Sequence, residues 1–150
     1  EKAGDDVRAI ELKETFLQLI TDLIDYQDES GMWYQLVNLG GMERNYLETS
    51  GSSILAYAIL KGVRLGMLPE EFAQFGEKAF RGVCDKYLTT TEDGKLHLDG
   101  ICLVAGLGGA QKRTGTFDYS MSEPIVKDDA KGVGPFLLAY TEMRRRGCDI

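Results

Sequence analysis

The chain has 150 residues and 43% hydrophobic content, enough for one domain with a proper core, which excludes a disordered reading. With 24 acidic against 17 basic residues its formal net charge is -7, and no strongly basic face is visible, so neither nucleic acid nor an anionic membrane surface is an expected partner. No uncharged run approaches a membrane span and no basic-then-apolar leader is legible.

Cys84, Cys102 and Cys148 lack metal-type spacing and His97 is the single histidine, so no metal site is expected and the thiols are expected to be reduced, as in a cytosol. The chain starts at Glu1 without a methionine, which leads to the expectation of a fragment or a processed product.

From Val7 to Gln27 the residues Leu12, Phe16, Leu19, Leu23 and Tyr26 recur at helical spacing, which predicts an amphipathic helix. Met32 to Val37 reads as a short strand, followed by Gly40-Gly41 and a polar stretch, a loop with a possible hairpin. A second helix is predicted from about Ser52 to Leu65, uncharged from Ile54 to Leu60 and therefore expected to be buried on all sides.

Leu68-Pro69-Glu70-Glu71 opens a third, amphipathic helix with Phe72, Phe75, Ala79, Phe80, Val83 and Tyr87 as its buried stripe. Glu92-Asp93-Gly94-Lys95 is the turn of a second hairpin. A glycine-rich polar segment from Gly106 to Lys131 leads to a fourth helix, Val133 to Arg146, with Pro135 in its first turn.

The helices alternate between amphipathic and apolar. Gly51-Ser-Ser-Ile-Leu-Ala-Tyr57 also superposes on Gly134-Pro-Phe-Leu-Leu-Ala-Tyr140, sharing glycine, leucine, alanine and tyrosine. This pattern predicts a repeated two-helix unit in a double-layered ring, apolar helices inside and amphipathic helices outside. The expected fold class is all-α with short β-hairpins, residues 1–150 forming a single domain that is one portion of such a ring.

Loops entering the inner helices would converge on one mouth, where free N–H groups suit polar or anionic ligands. The first of these loops carries Trp33, Tyr34, Gln35, Tyr46, Glu48, Ser50 and Ser52. Aromatic faces beside amide, carboxylate and hydroxyl groups match a pyranose, whose C–H face stacks and whose hydroxyls need paired donors and acceptors. The alternative is that Trp33 and Tyr34 are core residues and Glu48-Thr49-Ser50 caps the helix.

The glycine run from Gly106 to Gly115 lacks the following helix and the lysine-serine pair of a phosphate loop, so nucleotide binding is rejected. Lys112, Arg113, Lys127 and Lys131 are read first as solvated loop charge and second as partners for a carboxylated sugar. Glu48, Asp99, Asp118, Glu123, Asp128 and Asp129 are the carboxylates open to acid or base work, and spacing pairs no two of them.

Tyr26-Gln-Asp-Glu-Ser-Gly-Met-Trp-Tyr-Gln35, Asn45-Tyr-Leu-Glu-Thr-Ser-Gly-Ser-Ser53, Lys61-Gly-Val-Arg-Leu-Gly66, Ser122-Glu-Pro124 and Lys131-Gly-Val-Gly134 together resemble the unsaturated rhamnogalacturonyl hydrolases. These form glycoside hydrolase family 105 and are related to the unsaturated glucuronyl hydrolases of family 88. The resemblance runs over nearly the whole chain and implies an (α/α)6 toroid.

It further implies release of a terminal unsaturated uronic acid (Δ4,5-galacturonyl) from pectin or rhamnogalacturonan oligosaccharides in the cytoplasm, with no metal or organic cofactor. In such enzymes an aspartic acid protonates the C4=C5 double bond, water adds at C5, and the hemiketal collapses. Family members are more than twice this long, and the motif carrying that aspartate has no match here; Asp5-Asp6 stand in no comparable context.

The expectation is therefore a C-terminal portion that is inactive alone, with no catalytic residue assigned and Trp33, Gln35, Tyr46, Glu48, Ser50 and Ser52 lining the substrate site. A non-catalytic carbohydrate-binding or structural helical-repeat module is the alternative. Self-association of the open edge through Ile54, Leu55, Ile59 or Phe136 is a further possibility.

Overall fold

The computed structural model describes residues 7–110 and 112–149. Asp5, Asp6 and Gln111 lie outside them. Four long helices carry the fold: α1 (Val7–Ile24), α2 (Thr49–Arg64), α3 (Ala73–Tyr87) and α5 (Ala130–Arg145), with a one-turn helix, α4 (Phe117–Ser120), in the loop before the last. Two antiparallel pairs complete it. Strand β1 (Leu88–Thr90) pairs β2 (Leu96–Leu98), with Thr89 opposite His97, and β3 (Ile101–Cys102) pairs β4 (Ile125–Val126).

The repeated segments lie on α2 and α5, which pack directly against each other while α3 backs α2. Ala56 and Ala139, equivalent in the repeat, are both fully buried. Phe80 of α3 stacks on Phe136 of α5 with ring centroids 5.1 Å apart, among Ile59, Leu60 and Met143. This arrangement is a mostly helical portion of a toroid, as the alternation of helices predicts.

Several predicted boundaries move because a side chain decides where a helix starts. Glu48 caps α2, so that helix begins at Thr49 rather than Ser52. Asp129 accepts from the Lys131 N–H at 2.9 Å, so α5 begins at Ala130 and Pro135 falls inside it instead of in its first turn. Met32 to Val37 forms no strand beyond a Tyr34–Leu47 bridge. The Asn45 side chain accepts from the Leu36 N–H and donates to the carbonyls of Leu36 and Leu39, winding Val37–Leu39 into a 3-10 turn.

The predicted stripe of α1 is also corrected. Leu12, Leu19 and Tyr26 are exposed, whereas Phe16, Leu17, Ile20 and Ile24 meet the core. Nor is α2 buried on every side, since Ile54 is 43% exposed, and α5 leaves Leu137, Leu138 and Tyr140 open. Of the residues expected on an open edge, Ile59 is buried in the core and Phe136 is half-buried against it. A groove of about 670 Å³ between α1 and the turn Leu65–Met67 lies at the C-terminal end of α2, away from the loops that enter it.

That same end is pinned by a buried carboxylate. Glu142 of α5 accepts from Arg64 Nε at 2.6 Å and Nη2 at 2.9 Å, and from Arg145 Nη1 at 2.8 Å. The Arg64 guanidinium holds the Glu142 carboxyl below the usual glutamate range. A depressed folded pKa contributes stability above the unfolded value, about 4.3 for glutamate, and that contribution disappears as pH falls through the lowered folded value. Between about pH 5 and about pH 3 the urea midpoint of Glu142→Gln should therefore fall less steeply than that of the wild type. Equal slopes would remove Glu142 from the acid response.

Candidate functional site

The N-terminal ends of α2 and α5 bracket the segment from Leu98 to Cys102. Thr49 donates its N–H to the Gly100 carbonyl at 2.9 Å and its hydroxyl to the Asp99 carbonyl at 2.6 Å. On the other side Asp128 N–H donates to the Leu98 carbonyl, and Leu98 N–H returns a bond to the Asp128 carboxylate, both at 2.8 Å. Asp128 also contacts His97 Nδ1 at 2.6 Å, a partner 31 residues away that spacing does not disclose. The Leu98 N–H, followed by His97, holds the Asp128 carboxyl below its ordinary range.

Glu48 sits at the centre of the junction, only 5% exposed. Its Oε2 accepts from Gly51 N–H, and its Oε1 accepts from the Ser50 hydroxyl at 2.8 Å and the Cys102 N–H at 2.9 Å. The carboxylate thus caps α2 and fastens β3 to it in one gesture. Three donors occupy it, so its geometry is that of an anchor.

Gln35 Nε2 reaches the Cys102 sulfur at 3.6 Å, and the Tyr46 hydroxyl is buried beside the same thiol with no hydrogen bond of ordinary geometry among the described residues. Burial pushes the Tyr46 phenol and the Cys102 thiol upward, so both stay protonated at neutral pH. Gln35, Tyr46, Glu48 and Ser50 therefore come together, with Cys102 as a member that sequence motifs do not announce. It arrives through the β3 register, fixed by Glu48.

Trp33 and Ser52 have a different place. Trp33 is 2% exposed, its Nε1 donating to the Leu23 carbonyl at 2.7 Å, and its N–H donates to the buried Ser52 hydroxyl at 2.9 Å. The indole faces are covered by protein, which is the core alternative for this residue, and the pair ties the first loop to α1 and α2. Tyr34 is half-buried against Gly40.

Most of the loop charge is paired. Lys127 meets Asp99 at 3.2 Å, Lys131 meets Asp129 at 3.1 Å, and Asp118 pairs with Arg44. Glu123 is the exception among the six carboxylates, half-buried near Cys102 and without a hydrogen bond or ion pair among the described residues. The three cysteines are unpaired, and no group of three or more metal-ligating side chains occurs among the described residues. No helix among these residues is long and apolar enough to cross a membrane.

Paired helices whose N-terminal loops share one polar junction form one portion of a helical toroid. The chain belongs to glycosyl hydrolase family 88, whose model matches residues 5–147. It is 42% identical over 144 residues to Protein Atu3128 of Agrobacterium fabrum and to the 24.9 kDa protein in the picA locus of Rhizobium radiobacter. These matches cover 92% of the chain and 62% of each relative.

Among solved structures, a family 105 glycoside hydrolase from C. acetobutylicum is 44% identical with a TM-score of 0.91, over 97% of this chain and 40% of that one. A possible family 105 member from Klebsiella pneumoniae is 26% identical with a TM-score of 0.79, over 96% and 34% respectively. The chain thus spans less than two thirds of the length of each of these relatives.

Proposed function

We propose that residues 1–150 form one wall of the sugar site in a hydrolase that removes a terminal unsaturated uronic acid from pectin or rhamnogalacturonan oligosaccharides in the cytoplasm. The observation that carries this reading is the junction of Gln35, Tyr46, Glu48, Ser50 and Cys102 at the start of α2, in a chain of family 88 with family 105 neighbours. In the reaction a carboxylic acid protonates the C4=C5 double bond, water adds at C5, and the resulting hemiketal collapses to free the aglycone.

No carboxylate named here is assigned that proton transfer. It belongs to a part of the enzyme beyond residues 1–150, which would also cover Ile54, Leu137, Leu138 and Tyr140. Gln35 and Ser50 present polar groups to the sugar, while Glu48, Trp33 and Ser52 hold the wall in shape.

The test is the absorbance of the unsaturated uronide double bond. The full-length protein should remove it from an unsaturated galacturonyl disaccharide and residues 1–150 alone should not. A full-length protein that binds such disaccharides without altering the absorbance would support a carbohydrate-binding module instead. Removal by the isolated chain would show that the proton donor lies within it.

A further inference from the structure

We infer that Arg44 is a positioning residue that straps α4 across the mouth of the site, an inference that rests on the sugar-site reading above. Arg44 adopts φ 72°, the left-handed region in which glycine is unstrained and a residue with Cβ is not. Its side chain makes two contacts, both to α4. One guanidinium nitrogen pairs with the Asp118 carboxylate, and the guanidinium carbon lies 5.3 Å from the centroid of the Phe117 ring.

Both partners belong to α4, and that short helix is not a loose flap. Thr116 caps it by accepting from the Tyr119 N–H, and the Tyr119 hydroxyl accepts from the Gly106 N–H at 3.1 Å. Gripping α4 therefore also holds Gly106, in the loop that leaves β3 after Cys102. At the other end Arg44 is braced by its neighbour Asn45, whose side chain makes three hydrogen bonds to Leu36 and Leu39, and Tyr46 follows directly. The strap thus joins the loop that carries Tyr46 to the loop that follows Cys102, at a second point beyond the buried bond from Cys102 to Glu48.

The two joints differ in kind. The Glu48–Cys102 joint is buried and uncharged on one side, whereas Arg44 and Asp118 are exposed. An exposed ion pair and a cation–π contact are weak and screened by salt, so this joint opens easily while the inner one holds. Such a strap suits a mouth that must admit an oligosaccharide and then narrow around it. It acts through the loop, and Arg44 itself need not touch sugar.

Arg44→Gly separates this role from general stability, because it removes the strap while relieving the backbone. In the full-length protein, the variant should unfold no earlier than the wild type, yet trypsin should cut after Lys112 or Arg113 faster. KM for an unsaturated galacturonyl disaccharide should rise about fivefold with kcat within about twofold of the wild type. The wild-type KM should rise with ionic strength and that of Arg44→Gly should not, while Arg44→Lys should recover part of the loss. Wild-type cleavage and KM in Arg44→Gly would overturn the inference, as would a KM rise matched by early unfolding. If the wild type turns over no unsaturated uronide, the proposed function fails, and the cleavage rates of Arg44→Gly and Asp118→Asn still decide the strap.

Discussion

Glu48→Ala is expected to destabilise the fold by about 2–4 kcal/mol, since it removes a helix cap and leaves the Cys102 N–H and the Ser50 hydroxyl without their acceptor. Glu48→Gln should be milder, because one amide oxygen remains, but its NH2 group turns a donor toward donors. Urea unfolding of both variants checks the order. A Gln variant that keeps the wild-type midpoint and loses turnover would mean that the carboxylate serves the sugar rather than the helix. Stability loss in both variants would make Glu48 an anchor, and any loss of turnover would then follow from a displaced β3.

The second large effect is expected at Gly82. A Cβ built there would lie 2.1 Å from the Ser30 carbonyl oxygen and 3.1 Å from Met32 Cγ. The neighbour is backbone, which cannot rotate away, and the same turn is held by Gly31 at φ 90° directly over the Lys78 carbonyl. Gly82→Val should therefore cost at least about 3 kcal/mol, the upper part of the range for overpacked cores. The readout is the unfolding midpoint together with the fluorescence of Trp33, which follows the displaced turn by one residue beyond Met32. A wild-type midpoint with unchanged fluorescence would show that the turn from Asp28 to Met32 can lift off α3 at little cost.

Much of the architecture was legible because helical periodicity survives in any single chain. The alternation of amphipathic and apolar helices, the Gly51–Tyr57 and Gly134–Tyr140 echo and the hairpin turn Glu92–Lys95 correspond to elements of the structure, whereas the first expected hairpin is reduced to the Tyr34–Leu47 bridge. The face of α1 was not legible. That helix has two apolar stripes, Leu12 with Leu19 and Phe16 with Ile20 and Ile24, and nothing within the helix says which one meets Gly62 and the core. The exposure of Ile54, Leu137 and Leu138 was equally beyond a pattern argument, since periodicity reports that a face is apolar and not what covers it.

The junction divides in the same way. Glu48 was readable as a cap from its position before an uncharged helix, and Gln35 and Tyr46 as polar and aromatic loop residues. Cys102 and the His97–Asp128 pair were not, because each depends on a contact between segments far apart in the chain. Trp33 shows the limit of composition alone. An aromatic residue in a polar loop suggests a sugar platform, yet here Ser52 and the Leu23 carbonyl turn it inward.

The bonds that seat the start of α2 also bear on the order of folding. Thr49 finds the Asp99 carbonyl 50 residues later, and Glu48 finds the Cys102 N–H at a separation of 54. The helix itself can form from local contacts, but the segment from Asp99 to Cys102 cannot dock on it until the intervening helix and hairpin have closed a long loop. Assembly of the mouth is thus a late event, and on a ribosome the first turn of α2 waits for residues 99–102 to emerge before its junction with β3 can form.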